Sequence, residues 1–345
     1  MSESITPEIS VIMSVYNSER FLKESLDSIL SQSFKDFELI ITDDSSTDGT
    51  LKILEDYTSK DPRIILVANK TNAGLTKNLN SMISVAKGKY LARLDADDIS
   101  LPERLEKQYR YMQDNPSVGV LGTDGSIFGD KRKTIVIDRP HEHREIKAAF
   151  AFENLLIHSS AFIRMSLLEE KNIRYDENYK IIQDYELWTR LITETEFRIL
   201  DEKLVNYRVS ETNISTTTEK KENYRENILK KIYSNYFSAN KFSFTDDQID
   251  IHVDMLHRKK LNNMKFLEEI QDWLLYLKNE NERTGSFDNK YFNYMISKHW
   301  YKTCTRSTSL GLWVMFRYFR SEFKKDYNPG FMVMVRFILK CLVGY

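Results

Sequence analysis

The chain has 345 residues, of which 41% are hydrophobic and 29% charged, and its net charge is −1. The length suits one large domain with an extension. The composition excludes a disordered chain, and the charge excludes a molecule that binds polyanions with its whole surface.

The first 130 residues alternate between two hydrophobic periods. Ile9–Met13 (ISVIM) is a short apolar run that reads as a buried strand, and Glu19–Ser31 follows with Phe21, Leu22, Leu26, Ile29 and Leu30 at helical spacing. Phe37–Thr42 (FELIIT) is the second strand, and Thr47-Asp48-Gly49 opens a helix carrying Leu51, Ile53, Leu54 and Tyr57. Ile64–Val67 is a third strand, Thr76–Ala86 a third helix and Tyr90–Leu94 (YLARL) a fourth strand. Pro102–Asn115 reads as a helix with proline in its first turn. This alternation predicts βαβ units and a mainly parallel sheet flanked by helices, with ligands beyond the carboxyl ends of the strands.

From about Gly122 to Ser215 short strands and helices mix. Asp184–Thr195 is the clearest helix there, with Leu187, Trp188, Leu191 and Ile192 on one side. From Glu219 onward glycine is sparse and helical spacing dominates. A boundary near Thr216–Thr218 divides residues 1–218 from an α-helical extension over 219–345. The two cysteines, Cys304 and Cys341, form neither a metal-ligand spacing nor a disulfide framework, which fits a reducing, cytoplasmic compartment. Met1–Glu8 is polar and acidic and does not read as a signal peptide. No apolar run reaches the roughly 18 residues of a spanning helix.

Three polar clusters directly follow strands: Tyr16-Asn17, Asp43-Asp44-Ser45-Ser46 and Asp95-Ala96-Asp97-Asp98. Carboxylates gathered on one sheet edge repel one another unless a cation or hydrogen-bond donors compensate. Mg²⁺ or Mn²⁺, bridging to phosphate oxygens, suits such oxygen donors. On extended backbone, positions i and i+2 point the same way, so Asp95 and Asp97 would share one site. Asp98 would face away and cap the helix near Pro102. The competing reading is that the tetrad is only a turn and helix cap.

ISVIMSVYNSERFLKESLDSILSQSFKDFELIITDDSSTDGT resembles the N-terminal signature of the inverting glycosyltransferases of family 2, which have the GT-A fold. Asn72–Gly74 followed by Lys77-Asn78, then GKYLARLDADDISLPERL, HSSAFIR (158–164) and QDYELWTR (183–190) agree with it in order. The resemblance covers residues 9 to about 215. It implies that Ser14 and Tyr16 line the nucleotide pocket, with the Tyr16 ring against the base, and that Asp44, more than Asp43, accepts a hydrogen bond from the base edge. It places Lys77 near the nucleotide or its phosphates, Asp95 on the ribose or the metal, and Asp97 on the metal. Asp184 would be the catalytic base. Its position before an amphipathic helix favours the charged form, although the same position suits a simple N-cap aspartate. Arg93 would support the phosphates or merely brace the sheet. Trp188 would wall a sugar site or sit in the core.

Two departures stand out. Gln183 replaces a glutamate usual before the base, and Ser210, after Tyr207-Arg208-Val209, stands where a histidine is common. His158 is the nearest motif histidine, with a satisfied structural role the weightier reading. Arg208 could fork onto the diphosphate. The implied reaction is inverting transfer of a sugar, metal-assisted, from a nucleotide-sugar donor such as a UDP-sugar to a glycan or lipid-linked glycan, as in bacterial surface polysaccharide assembly.

A sugar nucleotidylyltransferase shares the sheet and the metal need, but Ser14–Glu19 lacks its Gly-rich basic loop. A non-catalytic subunit that binds glycans or joins a complex would have lost aspartates that are all present here.

Residues 298–345 carry nine basic and two acidic residues, interleaved with aromatics including Trp300, Trp313, Phe316, Phe319, Phe323, Phe331 and Phe337. Phe331–Val343 is apolar but interrupted by Arg336 and Lys340. This reads as helix lying on an anionic membrane surface, such as the inner face of the cell membrane. The alternative is a helical subdomain packed on the catalytic domain or on another subunit, which leaves a homo-oligomer open. Cations with aromatics also suit single-stranded nucleic acid, but no nucleic-acid motif is present.

Overall fold

The computed structural model describes residues 6–129, 132–137, 139–209, 222–257, 261 and 263–344. The chain forms two compact units, Met1–His143 with Leu155–Glu222 and Arg144–Asn154 with Asn223–Tyr345. The boundary expected at Thr216–Thr218 lies outside the described residues.

The first unit begins as the sequence predicts. Strand β1 (Ile9–Val15), helix α1 (Leu22–Leu30), β2 (Phe37–Asp43), α2 (Thr50–Lys60), β3 (Ile64–Ala68), α3 (Leu75–Val85) and β4 (Tyr90–Arg93) follow in order. β1 pairs in parallel with β2 and β4, and β2 with β3. Every residue of β1 except Ser14, and all of β2, is buried, as expected of strands covered on both faces. Leu22, Leu26 and Ile29 turn one stripe of α1 onto this core. Gly88 precedes β4 where chains nearly touch: a Cβ there would lie 2.4 Å from the Ser10 backbone nitrogen.

Beyond β4 the sheet departs from a mainly parallel one. The next elements are β5 (Ile99–Ser100), α4 (Arg104–Asp114), β6 (Val118–Gly129), β7 (Arg132–Ile137), α5 (His143–Ala149), β8 (Phe162–Arg164), α6 (Met165–Glu170), α7 (Gln183–Leu191) and β9 (Glu196–Arg208). The order is β3-β2-β1-β4-β8-β6-β9-β5, with β7 on β6. β8 lies antiparallel to β4 and β6, β7 to β6 and β5 to β9, and among the described residues only β6–β9 is parallel in this half. The sheet is therefore mixed, nine-stranded and covered by helices. Pro102 lies in the turn ahead of α4 rather than in its first turn.

The second unit is helical: α8 (Glu222–Ala239), α9 (Asp246–His257), α10 (Met264–Thr284), α11 (Asn289–Arg306), α12 (Leu312–Arg320) and α13 (Phe331–Val343). Its core is aromatic, and His252 is a polar group paired within it. His252 Nε2 is hydrogen-bonded to the Ala151 carbonyl at 2.9 Å, while Nδ1 accepts from Trp273 Nε1 at 3.0 Å. Burial lowers the His252 pKa to about 3, so the ring is neutral. No helix among the described residues is long and apolar enough to cross a membrane.

Candidate active site

The loops after β1 and β2 are laced together by side chains. Asn17 Oδ1 accepts from the Thr47 N–H at 2.8 Å, Ser46 Oγ from the Asn17 N–H at 3.0 Å, and Thr50 Oγ1 from the Ser18 N–H at 2.8 Å. Asn17 and Ser45 take left-handed backbone, with φ of 47° and 65°. Polar residues in this stretch thus close a rim at the strand ends. The Tyr16 ring stands half exposed on it.

Asp44 anchors the neighbouring loop. Its Oδ1 accepts from Asn69 Nδ2 at 2.9 Å and the Ala73 N–H at 2.7 Å, and its Oδ2 from the Gly74 N–H at 2.9 Å. Burial pushes this carboxyl up, but the bonds from Ala73, Asn69, Asn78 and Gly74 outweigh it and lower the pKa. Gly74 takes φ +91°, a conformation costly for any residue with a Cβ, and so the Asn-Ala-Gly motif wraps the carboxylate. Asn69 also donates to Asn78 Oδ1 at 2.9 Å, and Asn78 to Ser14 Oγ at 3.3 Å. The expected Ser14 and Asp44 therefore belong to one network. Lys77 lies exposed on the first turn of α3. Asp43 is buried. Its Oδ2 accepts from the Ser46 N–H at 3.2 Å, and its Oδ1 has no partner among the described residues.

Asp95, Asp97 and Asp98 each bring a carboxylate oxygen to within 4.8 Å of the others. This corrects the expectation that Asp98 faces away to cap a helix. The strand ends at Arg93, and Asp95–Asp98 forms a turn closed by the Asp98 N–H on the Asp95 carbonyl at 3.3 Å. Strand alternation no longer applies, so the third carboxylate joins the other two. Asp98 Oδ1 accepts from the Arg208 N–H at 2.7 Å and its Oδ2 from Ser159 Oγ. Arg93 forks onto Asp95 and also donates to Ser159 Oγ at 3.0 Å. Burial works against the Arg93 charge, but Asp95 outweighs it and holds the guanidinium protonated.

Burial and then the Asp95 charge push the Asp97 carboxyl up to about 6, against the pull of Arg93. Asp98 is raised well above the usual range by burial and its two neighbours. Burial and mutual repulsion thus disfavour full ionisation of the three carboxyls together unless a cation offsets their charge. That is the setting in which a hard divalent cation binds carboxylate oxygens.

Arg208 is built into the floor of this cluster. Its Nε donates to the Asp97 carbonyl at 2.8 Å, its Nη2 pairs with Glu24, and its guanidinium lies between the Phe21 and Phe128 rings, 4.2 and 4.4 Å from their centroids. The open phosphate fork read from sequence is thus engaged by protein groups here. Ser210, the departure beside it, lies outside the described residues.

Asp184 is the second residue of α7, preceded by Ile182 in left-handed backbone at φ 59°, an uncommon and strained state for a β-branched residue. The buried Tyr175 hydroxyl reports its place. Burial raises its pKa, Arg93 opposes, and the charges of Asp184 and Asp95 add to the rise, so both carboxylates act on this phenol. Tyr175 OH and His158 Nε2 are hydrogen-bonded at 2.7 Å. Burial, then Arg93, keeps His158 neutral, in its structural role. Trp188 is fully buried, its ring edge-on to His158 and Phe197, so it is core and not a sugar wall.

Ser159, Tyr175 and Asn69 were not singled out from sequence. Ser159 sits inside the HSSAFIR motif, which marked the region but not the residue. Tyr175 and Asn69 carry no local signal, since their partners are distant in the chain. A second acidic group, Asp124, His141 and Asp201, lies along β6 and β9, with His141 Nε2 and Asp124 Oδ2 3.3 Å apart.

Comparison with known proteins agrees with this geometry. The model of the family described as Glycosyl transferase family 2 matches residues 10–170. An uncharacterised glycosyltransferase of Methanocaldococcus jannaschii is 36% identical over 68% of this chain and 80% of its own length. The O-antigen biosynthesis glycosyltransferase WbnJ of Escherichia coli is 32% identical, over 61% of this chain and 82% of its own. Among solved structures, residues 1–349 of S. aureus TarS, in complex with UDP-GlcNAc, superpose with a TM-score of 0.58 at 18% identity, covering 86% of this chain and 89% of that one. With fold, motif order and relatives in agreement, the chain belongs to glycosyltransferase family 2 and is a glycosyltransferase of the GT-A fold.

Proposed function

We propose that the enzyme moves a sugar from a UDP-sugar to a growing surface glycan or lipid-linked glycan, with inversion and with a divalent metal. The observation that carries this reading is the convergence of Asp95, Asp97 and Asp98 at the end of β4. The UDP-GlcNAc bound to the fold neighbour TarS supports the donor class. Support for the glycan comes from the O-antigen enzyme and from the minor teichoic acid biosynthesis protein GgaB of Bacillus subtilis, 27% identical over 85% of this chain and 32% of its own length. We assign catalysis to residues 1–218 and treat 219–345 as an extension that holds the enzyme on an anionic membrane surface facing the cytoplasm.

The residues fit a metal. They are hard oxygen donors, burial and then their mutual repulsion raise Asp97 and Asp98, and Arg93 and Ser159 fix Asp95 in place. Asp97, with Asp95, would hold Mn²⁺ or Mg²⁺. Bound there, the ion supplies Lewis-acid stabilisation of the diphosphate leaving group. Asp44, Ser14, Tyr16 and Lys77 bind and orient the nucleotide. Arg208 keeps the Asp97 backbone in register from below. Asp184 takes the proton of the acceptor hydroxyl while the new bond from that oxygen to the anomeric carbon forms. The bond to the phosphate oxygen breaks on the opposite face, and its electron pair leaves with the diphosphate. One such displacement inverts the centre.

Asp97→Ala tests the assignment in a transfer and donor-hydrolysis assay. The expected result is loss of turnover with the circular dichroism spectrum intact. Turnover near the wild-type rate would remove Asp97 from the metal site.

A further inference from the structure

We infer that the membrane-docking surface is narrower than the basic tail: it is the outer face of α12 and α13, and its partner is the headgroup region of an anionic lipid bilayer. This inference rests on the membrane placement proposed above and names the part of the chain responsible.

Much of residues 298–345 is unavailable to a partner. Trp300 is fully buried, with Nε1 donating to Ser321 Oγ at 2.9 Å. Lys298 pairs with Glu153 at 2.6 Å, and Lys302 lies 3.6 Å from the same carboxylate. Tyr318, Phe323 and Phe337 are core residues of the helical unit. The aromatic and cationic residues of α11 therefore hold the unit together.

What stays outside includes large apolar side chains. Helix α12 exposes Leu312, Phe316 and Phe319, at the i, i+4, i+7 spacing of one helix face. On α13 only Phe337 and Cys341 are fully buried, while Met332 is 68%, Leu339 54% and Leu342 59% exposed. These outward residues again recur at helical spacing. A helix apolar on both its packed and its open side needs a second cover. Thirteen residues at about 1.5 Å rise make roughly 20 Å, too short for the ~30 Å hydrocarbon layer, so α13 suits a position in the plane of the interface.

Charge selects the cover. Arg320, Lys324, Lys325, Arg336 and Lys340 lie on or between these two helices, against only Glu322 and Asp326. Glu322 is already paired with Lys278 at 2.5 Å. A second copy meeting this face by two-fold symmetry would set cations against cations. Anionic headgroups complement them, each cation contributing about fivefold in partitioning.

The test is co-sedimentation of the full chain with phosphatidylglycerol-containing vesicles and with pure phosphatidylcholine vesicles, at low and high salt. The wild type should pellet with the anionic vesicles only, and release in salt. Arg336→Glu with Lys340→Glu should weaken partitioning at least about 25-fold. Met332→Asp with Leu339→Asp should abolish it. Variants unaltered in pelleting would overturn the inference, as would equal pelleting on both lipids. So would a wild-type dimer that Leu339→Asp splits, since a second copy would then cover the face. Circular dichroism and UDP calorimetry on each variant establish that it is folded. Loss of UDP binding by the wild type would sink the donor reading alone, whereas absent vesicle binding with intact UDP binding would sink this one alone.

Discussion

Asp44→Asn probes how the nucleotide pocket is held. The carboxylate takes three donors: the Ala73 N–H, the Gly74 N–H and Asn69 Nδ2. Asparagine keeps one acceptor oxygen and turns the other into an amide donor facing an N–H, so at least one bond is lost. The remaining bonds lose their charge assistance. Hydrogen bonds to a charged group contribute about 1.5–3 kcal/mol and neutral ones about 1 kcal/mol. Ala73 is exposed, and water can replace part of the loss, so the expected cost is about 2 kcal/mol at pH 7. The pH dependence has a definite sign. The folded pKa of Asp44 lies below its ordinary value, so its contribution is complete above that value, about 4, and is lost as pH falls through the lower folded value. Urea unfolding of wild type and variant, followed by circular dichroism from pH 7 to about pH 3, measures both effects. The gap between the two proteins should shrink below about pH 4. A gap under about 0.5 kcal/mol at pH 7, or one that is constant with pH, would refute the reasoning.

Two further predictions concern the carboxylate cluster and the proposed base. Ser159→Ala removes the hydroxyl that accepts from Arg93 and the Asp95 N–H and donates to Asp98, which should cost about 2–3 kcal/mol in thermal unfolding; an unchanged melting temperature would show that Ser159 does not hold the cluster. Asp184→Asn should leave UDP binding within about threefold while lowering transfer about 10²–10⁴-fold, and near-normal transfer would require another base.

The parallel half of the sheet was legible because ISVIM, FELIIT and YLARL are buried on both faces and the helices between them carry one apolar stripe each. The other half was not. β6 and β9 pair over residues some eighty positions apart, and β5 is only two residues long, so neither leaves a local period. Within the site, the motif residues were identifiable, but their geometry depended on where regular backbone stops. Asp98 was misplaced because DADD is a turn and not a strand end. Arg208 looked available because its partners, Glu24 and the Phe21 and Phe128 rings, are remote in sequence. Tail cations and aromatics read as one amphipathic surface, whereas Trp300, Lys298 and Lys302 are tied into the helical core.

Metal-dependent donor binding at Asp97 is the claim on which the rest depends. Calorimetric titration of UDP into the wild type and Asp97→Ala, with and without Mn²⁺, tests it most directly. The account predicts that Mn²⁺ tightens UDP binding to the wild type at least about tenfold, as expected when a cation bridges carboxylates and phosphate oxygens, and has no such effect on Asp97→Ala. Equal UDP affinity in the wild type with and without Mn²⁺, or an undiminished Mn²⁺ effect in Asp97→Ala, would contradict it.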